Sequence, residues 1–153
     1  MRPVASQRGF TLLEVLMVLL LIAAASALAA AAITGGFAGI RLKADAKEIA
    51  AQLRYTRAQA ISTGTPQRFV IDPAAHTWAA PDDRAGKVDD KFGITFIGAR
   101  QVKPSQGVGA IVFFPDGAST GGRVQLNTKD AAWNVDVAWL TGEVKIHRGQ
   151  VNR

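Results

Sequence analysis

Cysteine is absent from the 153 residues, which excludes disulfides and thiolate metal sites. Histidine is nearly absent, with His76 and His147 the only two, and neither falls in a spacing such as H-E-x-x-H that sets two imidazoles on one helix face. Ser105 and Ser119 are not in G-x-S-x-G, and no P-loop or dinucleotide glycine pattern follows a strand. Catalysis is therefore not expected, and the sequence calls for no cofactor. Asp82, Asp83, Asp89 and Asp90 crowd one stretch, but they lack the D-x-[DN]-x-[DN]-G order of a calcium loop and read as a solvated loop, with no metal site. No internal repeat is present.

Lys and Arg are missing from another place that matters, the apolar run from Phe10 to Ile33. Its length exceeds the about 20 apolar residues that cross a bilayer. One acid, Glu14, sits inside it without a cation to pair with. A carboxylate in hydrocarbon costs about 2.5–3.5 kcal/mol even on lenient scales, so such a residue usually has a partner and a task. A cut between Gly9 and Phe10 would place a free amine one helical turn from Glu14, which points to a processed N-terminus. Two plainer readings stand beside this one. A secretory signal would use Ala25-Ser26-Ala27 or Ala27-Leu28-Ala29 as its small-residue cleavage site, and a signal anchor would need only the length of the run. Neither accounts for Glu14 or for the Gly-Phe junction.

The segment Gly9-Phe10-Thr11-Leu12-Leu13-Glu14 follows a short leader containing Arg2 and Arg8. Together with the apolar run after it, it closely resembles the class III signal of type IV pilins and type II secretion pseudopilins. The resemblance implies that a prepilin peptidase of the inner membrane cuts between Gly9 and Phe10 and that Phe10 becomes N-methylated. It also implies that Glu14 pairs with the N-terminal amine of a neighbouring subunit during assembly. Arg2 and Arg8 before the run keep the leader in the cytoplasm by the positive-inside tendency and place the rest beyond the membrane, in the periplasm of a Gram-negative cell.

About 120 residues follow the run, enough for one small domain and too few for two. The formal charge of +6, or +4 without Arg2 and Arg8, permits an anionic partner without requiring one. Thr34-Gly35-Gly36-Phe37-Ala38-Gly39 carries three glycines, each weakening a helix by about 1 kcal/mol relative to alanine, so a bend or local melting is expected there. Beyond it, Leu42, Ala46, Ile49, Leu53, Thr56 and Ala60 recur at intervals of four and three, with Lys43, Lys47 and Arg54 on another face. That pattern predicts an amphipathic helix, stopped by Gly64 and Pro66.

After Gln67 the periodicity becomes that of strands. Arg68–Ile71 and Thr77–Ala79 form a predicted hairpin around Asp72-Pro73, and Pro81 to Asp90 reads as a charged loop. Ile94–Ile97, Ala110–Phe114, Arg123–Leu126, Trp133–Trp139 and Glu143–Ile146 are further strands. Lys103 to Gly109 is rich in turn formers, and Thr141-Gly142 signals a tight hairpin. One long helix followed only by strands predicts an α+β class, the helix laid on antiparallel sheet. The organisation is a leader at 1–9, a transmembrane and filament-core helix at 10–33, an amphipathic periplasmic helix at 34–64 and a β-rich periplasmic domain at 65–153.

A second segment, Phe113-Phe114-Pro115-Asp116-Gly117-Ala118-Ser119-Thr120-Gly121-Gly122, places a Pro-Asp-Gly turn after an aromatic strand and a glycine pair before the next. By itself it is a turn whose glycines permit positive φ. With the N-terminal segment it resembles the H-type minor pseudopilins, the general secretion pathway protein H family, and the related T- and U-type minor pilins. The resemblance implies a type IV pilin-like fold and a subunit near the tip of a pseudopilus that helps export folded proteins across the outer membrane. Its implied partners are the other minor pseudopilins, the major pseudopilin, the peptidase and the inner membrane. The alternative is a minor type IV pilin active in pilus assembly or DNA uptake. Lys145, His147, Arg148 and Arg153 form a basic tail that could touch phosphates, or else a frayed, soluble terminus. Nucleic acid is not the expected partner.

Overall fold

The structure is a computed structural model that describes residues 11–98 and 107–151, without the side chains of residues 30–37. Gly9, Phe10 and Arg153 lie outside the described residues, as does most of the turn-rich stretch after Lys103.

Helix α1 runs from Leu12 to Thr63. Thr11 caps it: its Oγ1 accepts from the backbone N of Glu14 at 3.3 Å, and its carbonyl accepts from the N of Val15 at 3.2 Å. These bonds satisfy donors that the first turn leaves free. Gly64, at φ +63, follows the last turn, the left-handed exit expected of a helix end. The expected melting at Gly35, Gly36 and Gly39 is corrected, because the helix is assigned through all three. Alanine-rich turns on both sides supply the propagation that the glycines lack.

The chain divides into two compact units, the first ending at Ala38 and the second beginning at Gly39. In the first, Leu12–Ala29 has a mean hydropathy of 2.6 and is exposed throughout. A helix apolar on every side has no face that water suits, and it needs lipid or other helices around it.

In the second unit the 3.6-residue stripe meets a β core. Leu42, Ala46, Ile49, Leu53, Thr56 and Ala60 are all fully buried, together with Phe69, Ile71, Ile111, Phe113, Val124, Leu126 and Val135. Thr56 is tolerated there because its Oγ1 donates to the carbonyl of Gln52 at 2.7 Å, leaving no buried hydroxyl unpaired. Eight strands follow: β1 Gln67–Asp72, β2 Thr77–Ala80, β3 Arg84–Lys87, β4 Gly93–Gly98, β5 Gly109–Phe113, β6 Gly122–Asn127, β7 Ala132–Val137 and β8 Val144–Gly149.

They form two four-stranded antiparallel sheets, ordered β3-β2-β1-β5 and β4-β6-β7-β8, where the sequence pattern alone implied a sheet without this division. The chain leaves the first sheet after Thr120, whose N donates to the carbonyl of Val112 at 2.9 Å, and enters the second at Gly122. Gly109 of β5 admits the ring of Phe96 of β4, since a Cβ there would lie 2.3 Å from Phe96 Cδ1.

The β1–β2 hairpin forms as expected, with Asp72 Oδ1 accepting from the N atoms of Ala74 and Ala75 at 2.9 and 3.0 Å. The charged loop expected at 81–90 is corrected, because Arg84–Lys87 pairs with β2 as an edge strand. Its side chains are largely exposed, so its hydrogen bonds, and no apolar alternation, define it. The tight turn expected at Thr141-Gly142 is also corrected to a longer connection, 138–143, closed by Ala138 N to Glu143 O at 3.0 Å and Gly142 N to Ala138 O at 2.8 Å.

Candidate assembly surfaces

Glu14 is exposed on the first turn of α1. Thr11-Leu12-Leu13-Glu14 has the spacing of a capping box, and an acid in the first turn also suits the positive end of the helix dipole. A cap needs only a polar side chain at the helix end. It does not explain why a carboxylate is kept within an apolar run.

The Phe113–Gly122 segment folds into a compact knot against α1. Phe114 N donates to Ala118 O and Gly117 N to Phe114 O, both at 2.9 Å, while Asp116 Oδ1 accepts from Ala118 N at 3.0 Å. Pro115 and Asp116 are exposed, Gly117 and Gly121 are buried with φ +85 and +70, and Gly122 is half-buried. The buried Ser119 donates from Oγ to Ala138 O at 3.1 Å and accepts from Gly121 N at 2.9 Å. Arg57 of α1 donates from Nε to Gly117 O at 3.0 Å, and Arg54 donates from Nη2 to Val144 O at 2.9 Å. Two arginines one turn apart thus tie this knot and the start of β8 to the helix. The Pro-Asp-Gly residues serve as a structural turn, and the loops around them carry the exposed apolar residues Phe114, Trp139 and Leu140.

The expected basic tail is corrected by its place in the fold. Lys145, His147 and Arg148 belong to β8, paired in register with β7, so they are neither frayed nor one patch. Alternation puts Lys145 and His147 on one face and Arg148 on the other. Lys145 Nζ lies 3.0 Å from Glu143, and His147 Nε2 lies 2.7 Å from Asp136 Oδ2. Asp136 also holds Arg123 through two bonds, at 2.5 and 2.9 Å, and that carboxylate raises the pKa of Arg123 above its usual value.

Three of the four clustered acids are likewise tied to separate partners. Tyr55 and Gln59 both bond the Asp82 carboxylate, Lys87 meets Asp90 at 3.0 Å, and Arg41 meets Asp89 at 3.7 Å. Asp45 approaches Asp89, accepting from its N at 3.5 Å. Burial, reinforced by the Asp89 charge, raises the Asp45 pKa.

Two features escape any sequence pattern, the Arg54–Arg57 ties and the Tyr55–Gln59 grip on Asp82, because their partners are 23 to 90 positions away. Only the i, i+3 spacing of the arginines was visible, and on a helix that usually marks a solvated face.

Comparison with known proteins decides the family. The family model described as type II transport protein GspH matches residues 45–141, the stretch that contains the buried helix face from Ala46 onward, both sheets up to β7, and the Phe113–Gly122 knot. The chain belongs to the GspH family. A second model, the prokaryotic N-terminal methylation motif, matches residues 4–30. The type II secretion system protein H of Xanthomonas campestris pv. campestris is 59% identical over 138 residues, covering 90% of this chain and 82% of the relative. Among solved structures, the minor pseudopilin EpsH of the Vibrio cholerae type 2 secretion system superimposes with a TM-score of 0.56 at 13% identity, over 71% of this chain and 97% of that one. The type IV minor pilin FimU of Pseudomonas aeruginosa gives 0.54 at 12%, over 71% and 92%. These two likenesses establish the type IV pilin-like fold and do not separate secretion from pilus. The GspH match and the 59% relative do, and they place this chain with the H proteins of type II secretion.

Proposed function

We propose that this GspH-family chain is made with a leader, residues 1–9, that a prepilin peptidase removes between Gly9 and Phe10, with N-methylation of Phe10. The mature chain is held in the inner membrane by residues 10–33, with residues 34–153 in the periplasm, and passes from there into a pseudopilus together with other minor pseudopilins and the major pseudopilin. Near the filament tip it helps export folded proteins, acting by assembly and not by catalysis. The observation that carries this reading is the overlap of the methylation-motif match, residues 4–30, with Gly9-Phe10 and the lone acid Glu14. Glu14 then pairs with the N-terminal amine of an adjacent subunit, which offsets the cost of its charge in an apolar setting. Intact mass of the protein extracted from membranes tests the processing. A chain beginning at N-methylated Phe10 is expected, and one beginning at Met1, or after Ala27 or Ala29, would overturn the reading.

A further inference from the structure

The unit that begins at Gly39 keeps two neighbouring large apolar side chains in solvent. Trp139 and Leu140, each 67% exposed, sit side by side in the 138–143 connection. That connection is closed by its own backbone bonds, and Trp139 O also accepts from Ser119 N at 2.8 Å, so the two side chains are displayed on a fixed loop. Apolar surface held in water in this way marks an interaction site when charges suited to a partner adjoin it.

They do adjoin it. An open cleft is lined by Arg54, Arg57, Thr141, Gly142, Glu143 and Val144. Each guanidinium gives one N–H to a backbone carbonyl, and among the described residues neither meets a carboxylate. Glu143 lines the same cleft, but its carboxylate lies on Lys145. A planar guanidinium has five donors arranged to bind a carboxylate in bidentate fashion, so most of the hydrogen-bonding capacity of this pair is directed to nothing among the described residues. A second copy is a poor occupant. Without its leader the chain still carries a formal +4, so two copies repel, and the acids Asp136, Asp82 and Asp90 are already engaged.

We propose that this cleft, with the adjoining Trp139 and Leu140, docks a different subunit of the filament through a carboxylate bound by Arg54 and Arg57 and an apolar side chain that covers Trp139. An aromatic anchor beside paired arginines is the composition in which interface energy concentrates. The proposal rests on the reading of the chain as a filament subunit, and its test separates the two.

The full-length chain is produced in secreting cells with a photo-reactive benzophenone amino acid at position 139 or, as a control for incorporation, at position 16 in the apolar helix. Position 139 is expected to cross-link to a peptide of a different subunit close to an Asp or Glu. Both arginines also tie the domain to the helix, Arg57 to Gly117 and Arg54 to Val144. Arg54 is the more exposed and supplies the variant, and rescue by an opposite charge on the partner separates lost docking from the lost tie. Arg54→Glu should lower the position-139 adduct at least about fivefold, leave the position-16 adduct unchanged, and be rescued when the partner's acid is changed to Lys. Adducts at 16 with none at 139, a position-139 adduct to a second copy, or one insensitive to Arg54→Glu overturns the docking surface and leaves the filament reading standing. Loss at both positions in the otherwise unaltered chain overturns the filament reading and the proposal with it.

Discussion

Arg57 Nε and Gly117 O are 3.0 Å apart, and this bond joins the amphipathic half of the helix to the turn that follows β5. Gly142 stands over it: a Cβ there would lie 2.2 Å from Gly117 O and 2.8 Å from Arg57 Nε. Two loops distant in sequence therefore meet on one arginine of the helix.

Gly142→Ala should destabilise the domain by at least about 2 kcal/mol, since Gly142 has φ +62 and the added methyl meets backbone. The corresponding fall in Tm is about 10 °C, measurable by calorimetry. Gly39→Ala is the contrast. Nothing lies within 4 Å of its added Cβ, so it should stabilise the helix by about 0.5–1 kcal/mol. Equal effects of the two substitutions would show that the Gly117–Gly142 approach is not a real constraint.

Glu14→Ala should insert into the membrane at least as well as the wild type, because a charge that costs about 2.5–3.5 kcal/mol in hydrocarbon is gone. Incorporation into filaments should fall. Thr11→Ala isolates the capping role, since it removes the Oγ1 acceptor of the Glu14 N–H and leaves the carboxylate in place. Filament incorporation should be lower for Glu14→Ala than for Thr11→Ala, and the reverse order would make Glu14 a helix cap only.

Asp45→Asn should raise stability at neutral pH. The folded-state pKa of Asp45 lies above its unfolded value because burial disfavours the anion. The folded state therefore holds the proton more tightly, and stability falls as pH rises from the unfolded value through the folded one. Asparagine keeps an oxygen to accept the Asp89 N–H and carries no charge. Asp45 is only partly buried, so the gain should be small, about 1–3 °C in Tm at pH 7, and should vanish below about pH 3.5. Melting curves across pH decide it, and a gain that persists at low pH would assign the effect to something other than ionisation.

Double-stranded DNA should not shift the domain at about 150 mM salt, since Lys145 and His147 are engaged by acids and Arg148 lies on the opposite face of β8. Binding seen only at low salt would be the nonspecific phosphate attraction of a basic chain. Micromolar binding at about 150 mM that disappears in a K145A, R148A and R153A triple variant would make the basic residues of β8 a phosphate-binding surface and overturn this prediction.

What the residues determined alone are the features set by local chemistry. The run of Leu, Val and Ala after Phe10 has no polar face, so any arrangement of the chain must give it an apolar surrounding. The positions Leu42, Ala46, Ile49, Leu53, Thr56 and Ala60 lie on one side of a 3.6-residue helix by geometry, and all six are buried. The hairpin at Asp72 and the helix end at Gly64 are likewise local, each written in the residues that make the turn. Tertiary structure decided which strands share a sheet, because pairing energy depends on partners brought together across long loops and alternation cannot identify them. It made an edge strand of Arg84–Lys87, whose side chains bury little, by supplying β2 as a backbone partner. It also made Arg54 and Arg57 ties to Val144 and Gly117, and set Lys145 and Arg148 on opposite faces. A charge in a linear sequence has no fixed neighbour until the fold brings an acceptor within about 3 Å of it.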